Sequence, residues 1–491
     1  MNYKSTRGSG DCLNSAKAII KGIAEDKGLY VPESIPKLDF NPAELAGLDY
    51  REVAFRIISK FLDDYTEQEL RDCVNNAYDK KFESEEIVPV VKAGDAYFIE
   101  LYHGKTAAFK DMALSILPYL LTTAMRKEKE DKKIAILTAT SGDTGKAALE
   151  GFADVPNTEI IVFFPENGVS EVQARQMTTQ EGENTHVYGI KGNFDDAQTA
   201  VKKIFNDTAL SERLAKKGYR LSSANSINIG RLIPQVAYYV WAYVKLIEQG
   251  AIKPGEKINI VVPTGNFGNI LAAYYASKMG IQVGKFICAS NKNKVLTDFI
   301  NTGIYDARRD FYITSSPSMD ILISSNLERL LYHLSGGDSE EISGLMYALE
   351  KEKHYEVSNK IKDELSDFFG AYADEDETEE TIGSMYRENG YLMDTHTAVA
   401  YKVFLDYKQA TGDSTTTVIA STASAYKFSD SVAKAIGLPA EGGGFACIRA
   451  LYETTKVRIP SGLKNLQTKE IRHKKVLEKE ELSMVVESLL I

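Results

Sequence analysis

The chain has 491 residues, of which 44% are hydrophobic and 26% are charged, and 58 basic against 69 acidic side chains give a formal net charge of −11. One hydrophobic core rarely serves so long a chain, so we expect two or three packed units. The acidic balance argues against an extended nucleic-acid surface, and we expect no nucleic-acid partner.

No metal site is expected from the sequence. The four cysteines lie far apart and form no Cys-x-x-Cys pair, which argues against a structural zinc site and a disulfide framework. The acidic run from Ala373 to Glu380 has no histidine and no regular ligand spacing, so it indicates a solvated face.

The apolar segments bear on the compartment of the protein. Residues 1–8 contain no apolar segment of the kind found in signal peptides. The most apolar stretch, residues 113–125, contains Pro118 and is shorter than the roughly 20 residues that span a bilayer. We therefore expect a cytoplasmic protein that has no membrane partner.

The first 95 residues or so have a mostly helical pattern, interrupted by a turn-like stretch from Gly28 to Pro32. This pattern indicates a covering domain at the start of the chain. The segment from Leu101 to Asp111 follows, and it places Lys110 where an apolar stretch opens into another helical pattern.

Lys110 is a candidate for a lysine that forms a Schiff base with a carbonyl cofactor. With the ordinary pKa of about 10.4 a lysine is protonated and inert, so such chemistry requires desolvation or a neighbouring positive charge. Phe109 and the two alanines before it supply apolar neighbours. The alternative is a solvated surface lysine, which is the more common role at the start of a helix.

Short β-branched segments then alternate with longer helical ones, which favours parallel sheets with crossover helices. Strands are predicted at Lys133–Thr140, Glu159–Pro165 and Lys257–Pro263, each followed by a helical pattern. Residues from about 134 to 205 are expected to form a small α/β lobe. A second lobe is expected to build on the strand at Lys257–Pro263.

The loop Ser141-Gly-Asp-Thr-Gly145 lies between a predicted strand and a predicted helix. It is not a nucleotide P-loop, because Ala147 stands where a magnesium-binding Ser or Thr is required. Its hydroxyls suit a carboxylate or phosphate on a substrate. A helix-capping role for Ser141 or Asp143 is the alternative.

The loop Gly265-Asn-Phe-Gly-Asn269 occupies the same kind of position after the later strand. Small residues there allow backbone N–H groups to approach an anion, so the loop is a candidate phosphate site. It lacks the third glycine of the dinucleotide fingerprint, which argues against a nicotinamide cofactor. A glycine-rich turn required by geometry alone is the alternative.

A second anion site is conceivable in the stretch from Ser222 to Arg231, where hydroxyls, two amides and a guanidinium precede a helical pattern. The planar guanidinium of Arg231 matches phosphate oxygens bidentately. A surface ion pair of Arg231 is the alternative.

Taken together, the order and spacing of these motifs carry a family resemblance over nearly the whole chain. The motifs are Ser5–Gly8, Gly28–Glu33, Tyr102–Asp111, Ala139–Gly145, Asn225–Asn228, Pro263–Gly268, Pro317–Ile321, Ser325–Arg329 and Ser421–Phe428. The chain resembles the threonine synthases of the longer bacterial and fungal type, which are pyridoxal-phosphate enzymes of the tryptophan-synthase-β fold.

The resemblance implies an α/β architecture of fold type II, with two open α/β lobes and a mostly helical N-terminal domain. We place the N-terminal domain at residues 1–95, the small α/β domain at 134–224, and the large cofactor-binding domain at 96–133 and 225–491.

The resemblance also assigns roles to individual residues. Lys110 is implied as the Schiff-base lysine, Asp143 as a neighbour of the cofactor's ring oxygen, and Thr422 as the hydroxyl that faces the pyridine nitrogen. The residues implied to hold the cofactor phosphate are Gly265, Asn266, Phe267, Gly268 and Asn269. Those implied to bind the substrate are Ser141, Thr144, Asn225, Ser226 and Arg231.

The implied reaction converts O-phospho-L-homoserine and water to L-threonine and phosphate, in a monomer or a homodimer. Two departures from the family pattern stand close to the implied cofactor: Lys105 replaces a proline, and Ser424 replaces a histidine. The Ser424 change leaves open an enzyme that stops at elimination and forms 2-oxobutyrate. A binding or regulatory protein without catalysis is another alternative, and a nucleotide-dependent enzyme is a remote third.

Overall fold

The computed structural model describes residues 1–10 and 12–491. The α-helices in this part of the chain are α1 (Ser15–Lys21), α2 (Tyr50–Phe61), α3 (Glu67–Ala77), α4 (Asp111–Leu114), α5 (Leu117–Lys127), α6 (Asp143–Phe152), α7 (Glu171–Thr178), α8 (Phe194–Asn206), α9 (Thr208–Lys216), α10 (Ile229–Glu248), α11 (Gly268–Met279), α12 (Val295–Thr302), α13 (Leu327–Leu334), α14 (Ser339–Glu352), α15 (Asn359–Glu364), α16 (Glu375–Asn389), α17 (Thr395–Thr411), α18 (Ser429–Ala435), α19 (Gly444–Thr455) and α20 (Leu482–Leu490).

The strands in the same residues are β1 (Tyr3–Ser5), β2 (Tyr30–Pro32), β3 (Val90–Ala93), β4 (Ala96–Glu100), β5 (Lys133–Ala139), β6 (Thr158–Pro165), β7 (Thr185–Lys191), β8 (Tyr219–Ser222), β9 (Ile258–Pro263), β10 (Val283–Ser290), β11 (Ile304–Asp306), β12 (His354–Glu356), β13 (Phe368–Tyr372), β14 (Thr417–Ser421) and β15 (Val476–Glu478). Short 3-10 helices lie at Pro42–Leu45, Pro317–Met319, Leu365–Asp367, Ala425–Phe428, Leu466–Thr468 and Lys479–Glu481.

The larger lobe is built on a sheet with the strand order β13-β10-β9-β14-β4-β3. Its strands pair in parallel except for the antiparallel pair of β3 and β4. Every residue of the inner strand β9 is buried, as expected where helices cover both faces of a parallel sheet. The strand predicted at Lys257–Pro263 is therefore confirmed.

The smaller lobe is built on a fully parallel sheet with the strand order β15-β7-β6-β5-β8. Strands β5 and β6 confirm the strands predicted at Lys133–Thr140 and Glu159–Pro165. Helix α6 follows β5 after a tight turn, so the predicted order of strand, tight loop and helix is also confirmed, although the helix begins at Asp143, inside the stretch predicted as loop. The α/β fold class predicted from the alternation is the class observed.

The domain division stays a prediction, but strand pairing places two of its segments differently. Strand β3 lies before the predicted boundary at residue 95, yet it pairs with β4 in the large sheet. Strand β15, predicted to be in the large domain, pairs with β7 at the edge of the small sheet. Both assignments depend on long-range hydrogen bonds that local sequence pattern does not reveal.

The N-terminal region packs its helices against the long, almost entirely buried helix α10. The ring of Tyr50 on α2 makes an edge contact with Trp241 on α10, with 5.7 Å between ring centroids. The indole of Trp241 in turn donates to the carbonyl of Val88. Helix α10 thereby links the N-terminal region to the large sheet and also presents Arg231 near its first turn.

Two further properties concern only the residues that the structure describes. Within residues 1–10 and 12–491, no helix combines the length and apolar character that crossing a membrane requires. The same residues contain no cluster of three or more His, Cys, Asp or Glu side chains that could hold a metal ion. The acidic run from Ala373 forms the start of α16, where Asp374 caps the helix.

Candidate functional site

Lys110 immediately precedes the short helix α4, and its side chain is 11% exposed rather than solvated. Its Nζ atom lies 3.3 Å from Ser318 Oγ and 3.7 Å from Asp143 Oδ2. Burial lowers the pKa of Lys110 from its ordinary value; the carboxylate of Asp143 opposes this shift, and the cations of Lys427 and Arg231 add to it. The lowered pKa shifts the amine towards the neutral form that a nucleophile requires.

Backbone pairing places Lys110 beside the segment that contains Thr422. The amide of Phe109 donates to the carbonyl of Thr422 over 2.8 Å, and the amide of Ser424 donates to the carbonyl of Ala107 over 3.0 Å. Ala107 itself has a φ of 57°, a left-handed conformation that costs a non-glycine residue about 1 kcal/mol. The backbone pairing of residues 107–109 with residues 422–424, rather than local propensity, therefore sets the position of Lys110.

The side chain of Asp111 closes the turn that precedes the lysine. Its carboxylate accepts from the amide of Thr106 over 2.8 Å and from the Thr106 hydroxyl over 2.6 Å. Burial raises the pKa of Asp111 to about 6, although both hydrogen bonds and the nearby Lys427 oppose that shift. Asp111 therefore shapes the turn and does not itself face Lys110 in any contact seen.

The predicted phosphate loop, Gly265 to Asn269, follows β9, and its last two residues lie in the first turn of α11. Phe267 is left-handed with a φ of 64°, and a Cβ at Gly265 would lie 2.6 Å from the carbonyl oxygen of Ser318. The Asn269 side chain accepts from the hydroxyls of Tyr238 and Tyr239. Within the described residues its Nδ2 donor has no partner, so it is available to an anion.

The loop is held from outside by residues that the sequence motifs do not mark as part of the site. Asn326 donates to the Asn266 carbonyl from both its amide and its side chain, each over 3.0 Å, and Ser324 donates to the Gly265 carbonyl over 2.7 Å. The Asn326 side chain also donates to Ser226 Oγ over 3.2 Å. Asn326 thus connects the predicted phosphate loop to a predicted substrate residue.

The loop from Ser141 to Gly145 is shaped by Thr140, and the capping alternative for Ser141 or Asp143 is wrong. Thr140 Oγ1 accepts from the amides of Gly142 and Gly145, over 3.0 and 2.9 Å, while Gly142 caps α6 without a side-chain bond. Gly142 has a φ of 135°, which only glycine adopts readily. Ser141 is exposed and Thr144 is half-buried, and neither side chain caps the helix.

Asp143 lies between two lysines. Its Oδ1 accepts from Lys427 Nζ over 2.7 Å and from the Gln173 side chain over 3.0 Å, while its Oδ2 faces Lys110. Burial alone would raise the pKa of Asp143, but the cations of Lys427 and Lys110 hold it well below its ordinary value. The carboxylate is therefore ionised beside the candidate nucleophile.

Arg231 is buried near the start of α10, and the surface ion-pair alternative for it is wrong. It is 4% exposed, and its Nη1 donates to the carbonyl of Ala224 over 2.8 Å. In the part of the chain that the structure describes, it forms no ion pair and its Nε donor has no partner. Burial lowers its pKa to about 10, so it remains a cation at neutral pH.

The remaining predicted residues have simpler surroundings. Thr422 is buried, and its amide donates to Thr397 Oγ1 over 3.3 Å. Asn225 is exposed, and Ser226 is half-buried beneath Asn326. The neighbouring Asn228 is structural, because its side chain accepts from the amide of Gly230 and donates to the carbonyl of Ile19.

Both departures from the family pattern have local partners away from Lys110. The Lys105 ammonium pairs with Glu150 over 3.0 Å, and Glu150 also pairs with Lys146. Ser424 caps the 3-10 helix Ala425–Phe428 by accepting from the amide of Tyr426.

The donor set fits pyridoxal phosphate. The aldehyde requires a largely desolvated lysine, which Lys110 provides. The phosphate requires an anion site such as the N-terminus of α11, where the Asn269 donor has no partner among the described residues. The buried Nε of Arg231 is a separate donor that has no partner in the described part of the chain, which suits a second anionic group.

Three protein families match successive parts of the chain. Residues 2–78 match the threonine synthase N terminus, residues 91–423 match the pyridoxal-phosphate dependent enzymes, and residues 397–487 match the threonine synthase C-terminal family.

Similar proteins and solved structures agree with these matches. Threonine synthase-like 1 of Homo sapiens is 42% identical over 435 residues, which cover 86% of this chain and 58% of that protein. The chain thus spans little more than half the length of that relative. The threonine synthase of Pseudomonas aeruginosa is 39% identical over 439 residues, covering 89% of this chain and 90% of that protein.

Among solved structures, PLP-bound threonine synthase from Brucella melitensis superposes with a TM-score of 0.88 at 35% identity, covering 100% of this chain and 98% of that one. Yeast threonine synthase superposes with a TM-score of 0.87 at 31% identity, covering 99% and 98%. The architecture implied by the resemblance is therefore confirmed, and the chain belongs to the threonine synthase family of pyridoxal-phosphate-dependent enzymes.

Proposed function

We propose that the protein converts O-phospho-L-homoserine and water to L-threonine and phosphate, with pyridoxal phosphate attached at Lys110. One observation carries the proposal: a largely buried lysine faces an ionised Asp143, and the buried Arg231 cation, which forms no ion pair among the residues that the structure describes, is near enough to lower the lysine's pKa. A cofactor phosphate and a substrate phosphate require two separate anion sites, and we assign the first to the loop at Gly265 and the second to Arg231.

Lys110 is the residue proposed to move protons. When bound, the cofactor withdraws electrons from the substrate's α carbon, which makes the protons on Cα and Cβ removable. Lys110, freed by the substrate amine, would take the Cα proton as a neutral amine, pass that proton on and then take a Cβ proton. Phosphate would leave from Cγ with one proton, Cγ would gain a proton to become the methyl group, water would add at Cβ and release its other proton, and Lys110 would return a proton to Cα.

Arg231 and the neighbouring hydroxyl and amide groups are proposed to bind the substrate's phosphate and carboxylate. A phosphate dianion accepts several hydrogen bonds, and the unpaired Nε of Arg231 offers a charge-assisted one. The donors that would complete this site are Ser141, Thr144, Asn225 and Ser226.

Thr422 is proposed to face the cofactor's pyridine nitrogen, and Asp143 its ring oxygen. A neutral hydroxyl leaves that nitrogen unprotonated, so the ring withdraws electrons less strongly than it would beside a carboxylate. The residues from Gly265 to Asn269 are proposed to hold the cofactor phosphate. We further propose a cytoplasmic monomer or homodimer without a nucleic-acid partner.

The test is an assay of threonine and phosphate released from O-phospho-L-homoserine. The wild type is expected to release both in equal amounts, and Lys110→Ala is expected to release neither. Lys434→Ala is the matched control, because that lysine is 67% exposed and, among the residues that the structure describes, forms an ion pair only with Glu379. Equal activity in Lys110→Ala would refute the proposal.

The same assay separates the alternatives. Accumulation of 2-oxobutyrate without threonine would indicate an enzyme that stops at elimination. A purified protein in which borohydride fixes no pyridoxal phosphate on Lys110 would indicate a non-catalytic member of the family.

A further inference from the structure

Lys427 is a buried cation to which no role was assigned from the sequence. It lies in the 3-10 helix Ala425–Phe428 and is 0% exposed. Within the described residues its Nζ donates to the carbonyl of Thr106 over 2.9 Å, to Gln176 Oε1 over 3.2 Å and to Asp143 Oδ1 over 2.7 Å. An ammonium has three protons to donate, so these acceptors use all of them.

The three acceptors come from both lobes. Thr106 belongs to the turn that precedes Lys110, whereas Asp143 begins α6 and Gln176 lies on α7, both in the small lobe. Burying an unpaired ammonium is costly, so these bonds fix where Asp143 lies relative to Lys110. Gln173 on α7 supports the same oxygen of Asp143.

The two lysines share one carboxylate unequally. Asp143 is 2.7 Å from Lys427 but 3.7 Å from Lys110, so its closer counter-ion is Lys427. The charged groups that act on Lys110 are Asp143 of α6, Lys427 of the 3-10 helix and Arg231 of α10, and the Ser318 hydroxyl is a neutral neighbour. Without Lys427, Asp143 would be left to pair with Lys110 alone.

We propose that Lys427 is a positioning residue whose ammonium occupies the Asp143 carboxylate and thereby keeps Lys110 ready to act as a neutral amine. The proposal rests on the proposed function, in which Lys110 attaches the cofactor and moves protons. Removing Lys427 leaves the Asp143 anion uncompensated, and Lys110 then holds its proton more tightly. Removing the charges of both Lys427 and Asp143 leaves the pKa of Lys110 close to its value in the wild type.

The experiment measures the amine directly and requires no substrate. The full-length chain is freed of bound cofactor, pyridoxal phosphate is added, and its rate of attachment is followed by absorbance across a range of pH. Borohydride reduction and mass spectrometry confirm that Lys110 is the residue attached. Only the neutral amine attacks an aldehyde, so the midpoint of the rate profile reports the pKa of Lys110.

In Lys427→Met the midpoint is expected to rise by about one pH unit or more, the effect of leaving an opposite charge uncompensated within a few ångströms. It is expected to fall in Asp143→Asn and to lie near the wild-type value in the double variant. Lys427→Arg retains the cation and should stay closer to wild type than Lys427→Met. Lys434→Met, at the exposed lysine, is the matched control and should leave the midpoint unchanged.

An unchanged midpoint in Lys427→Met, or a double variant shifted as far as that single one, would overturn the proposal and leave Lys427 a packing residue. If Lys427→Met does not fold, the double variant compared with Asp143→Asn decides: a higher midpoint in the double variant supports the proposal, and equal midpoints overturn it. Failure of the proposed function is visible separately, as a wild type that makes no threonine while its attachment profile responds as described.

Discussion

Arg7 and Glu328 form a bidentate ion pair between residues 321 positions apart in the chain. Arg7 Nε donates to Glu328 Oε1 over 2.9 Å, and Nη2 donates to Oε2 over 2.7 Å. The next residue, Arg329, is fully buried and donates to Asn326, which holds the carbonyl of Asn266. The N-terminal segment is therefore connected to the predicted phosphate loop through adjacent residues on α13.

Arg7→Ala is expected to lower the free energy of unfolding by about 2 kcal/mol, because the Glu328 carboxylate, 5% exposed, would lose its counter-ion. Chemical denaturation measures this change. Pyridoxal phosphate should also bind more weakly, since Asn326 and Arg329 flank Glu328 at the start of α13 and Asn326 holds the carbonyl of Asn266.

Arg308→Ala is the matched control for this pair. Arg308 also makes two contacts to one carboxylate, that of Asp306, but the two side chains are 56% and 33% exposed. Exposed ion pairs contribute little to stability, so Arg308→Ala is expected to lower the free energy of unfolding by no more than about 0.5 kcal/mol. Equal losses of stability in Arg7→Ala and Arg308→Ala would contradict the larger contribution expected from the pair of Arg7 and Glu328.

Gly265→Ala is expected to weaken pyridoxal phosphate binding about tenfold to a hundredfold. The added Cβ would lie 2.6 Å from the carbonyl oxygen of Ser318, and such overpacking costs about 1–3 kcal/mol. Fluorescence titration of the cofactor-free chain with pyridoxal phosphate measures the affinity.

Gly344→Ala is its control, because Gly344 lies within α14 and an added Cβ meets nothing within 4 Å. Alanine is preferred over glycine inside a helix, so this variant should bind the cofactor normally and gain about 0.5–1 kcal/mol of stability. Normal cofactor affinity in Gly265→Ala would show that the loop has room to relax.

The part of the site that was predictable is the part encoded locally. A β-branched segment followed by small and hydroxyl residues located the loops at Ser141 and Gly265, since strand, turn and helix each have a short-range pattern. Lys427 was missed because its acceptors lie at residues 106, 143 and 176, which only the packing of two lobes brings together. A lysine in the otherwise apolar and hydroxyl-rich stretch from Ser421 was the available signal.

The burial of Arg231 is another feature that local sequence did not determine. Its motif was recognised, but whether it lay buried or on the surface depended on the N-terminal helices that cover α10. The strongly apolar character of residues 229–247 was the signal for burial. Likewise, Thr140 was read only as the end of a strand, because its role depends on the positive φ of Gly142.

Thr140→Val is expected to raise the KM for O-phospho-L-homoserine at least about fivefold. The change preserves side-chain volume but leaves the amides of Gly142 and Gly145 without their acceptor, at a cost of about 1–3 kcal/mol each. Steady-state kinetics measures the effect on KM and kcat separately.

Thr138→Val, two residues earlier on β5, is the control. Its hydroxyl is buried and has no partner within residues 1–10 and 12–491, so removing it should leave KM unchanged and not reduce stability. An equal change in KM for both variants would mean that strand β5 as a whole, rather than the Thr140 acceptor, shapes the loop.

His333 is expected to make the protein less stable as the pH falls from about 6.5 to about 4. Burial, aided by nearby cations such as Arg329, lowers the pKa of His333 to about 4 from its ordinary value of 6.5. Its Nε2 is paired with the Tyr275 hydroxyl over 2.8 Å. Because the unfolded chain binds this proton more readily, the stabilising contribution is complete above pH 6.5 and is lost on acidification, by up to about 3 kcal/mol.

His333→Gln removes the titration but keeps a polar group that can reach Tyr275. The variant is expected to be somewhat less stable than the wild type at pH 7.5, and its free energy of unfolding should fall less between pH 6.5 and pH 4. Urea denaturation at several pH values gives the slope of the free energy of unfolding against pH for the wild type and for the variant. The difference between these two slopes isolates His333 from the other groups that titrate in this range. Parallel slopes would mean that His333 binds its proton in the folded chain as readily as in the unfolded one, which would contradict the lowered pKa.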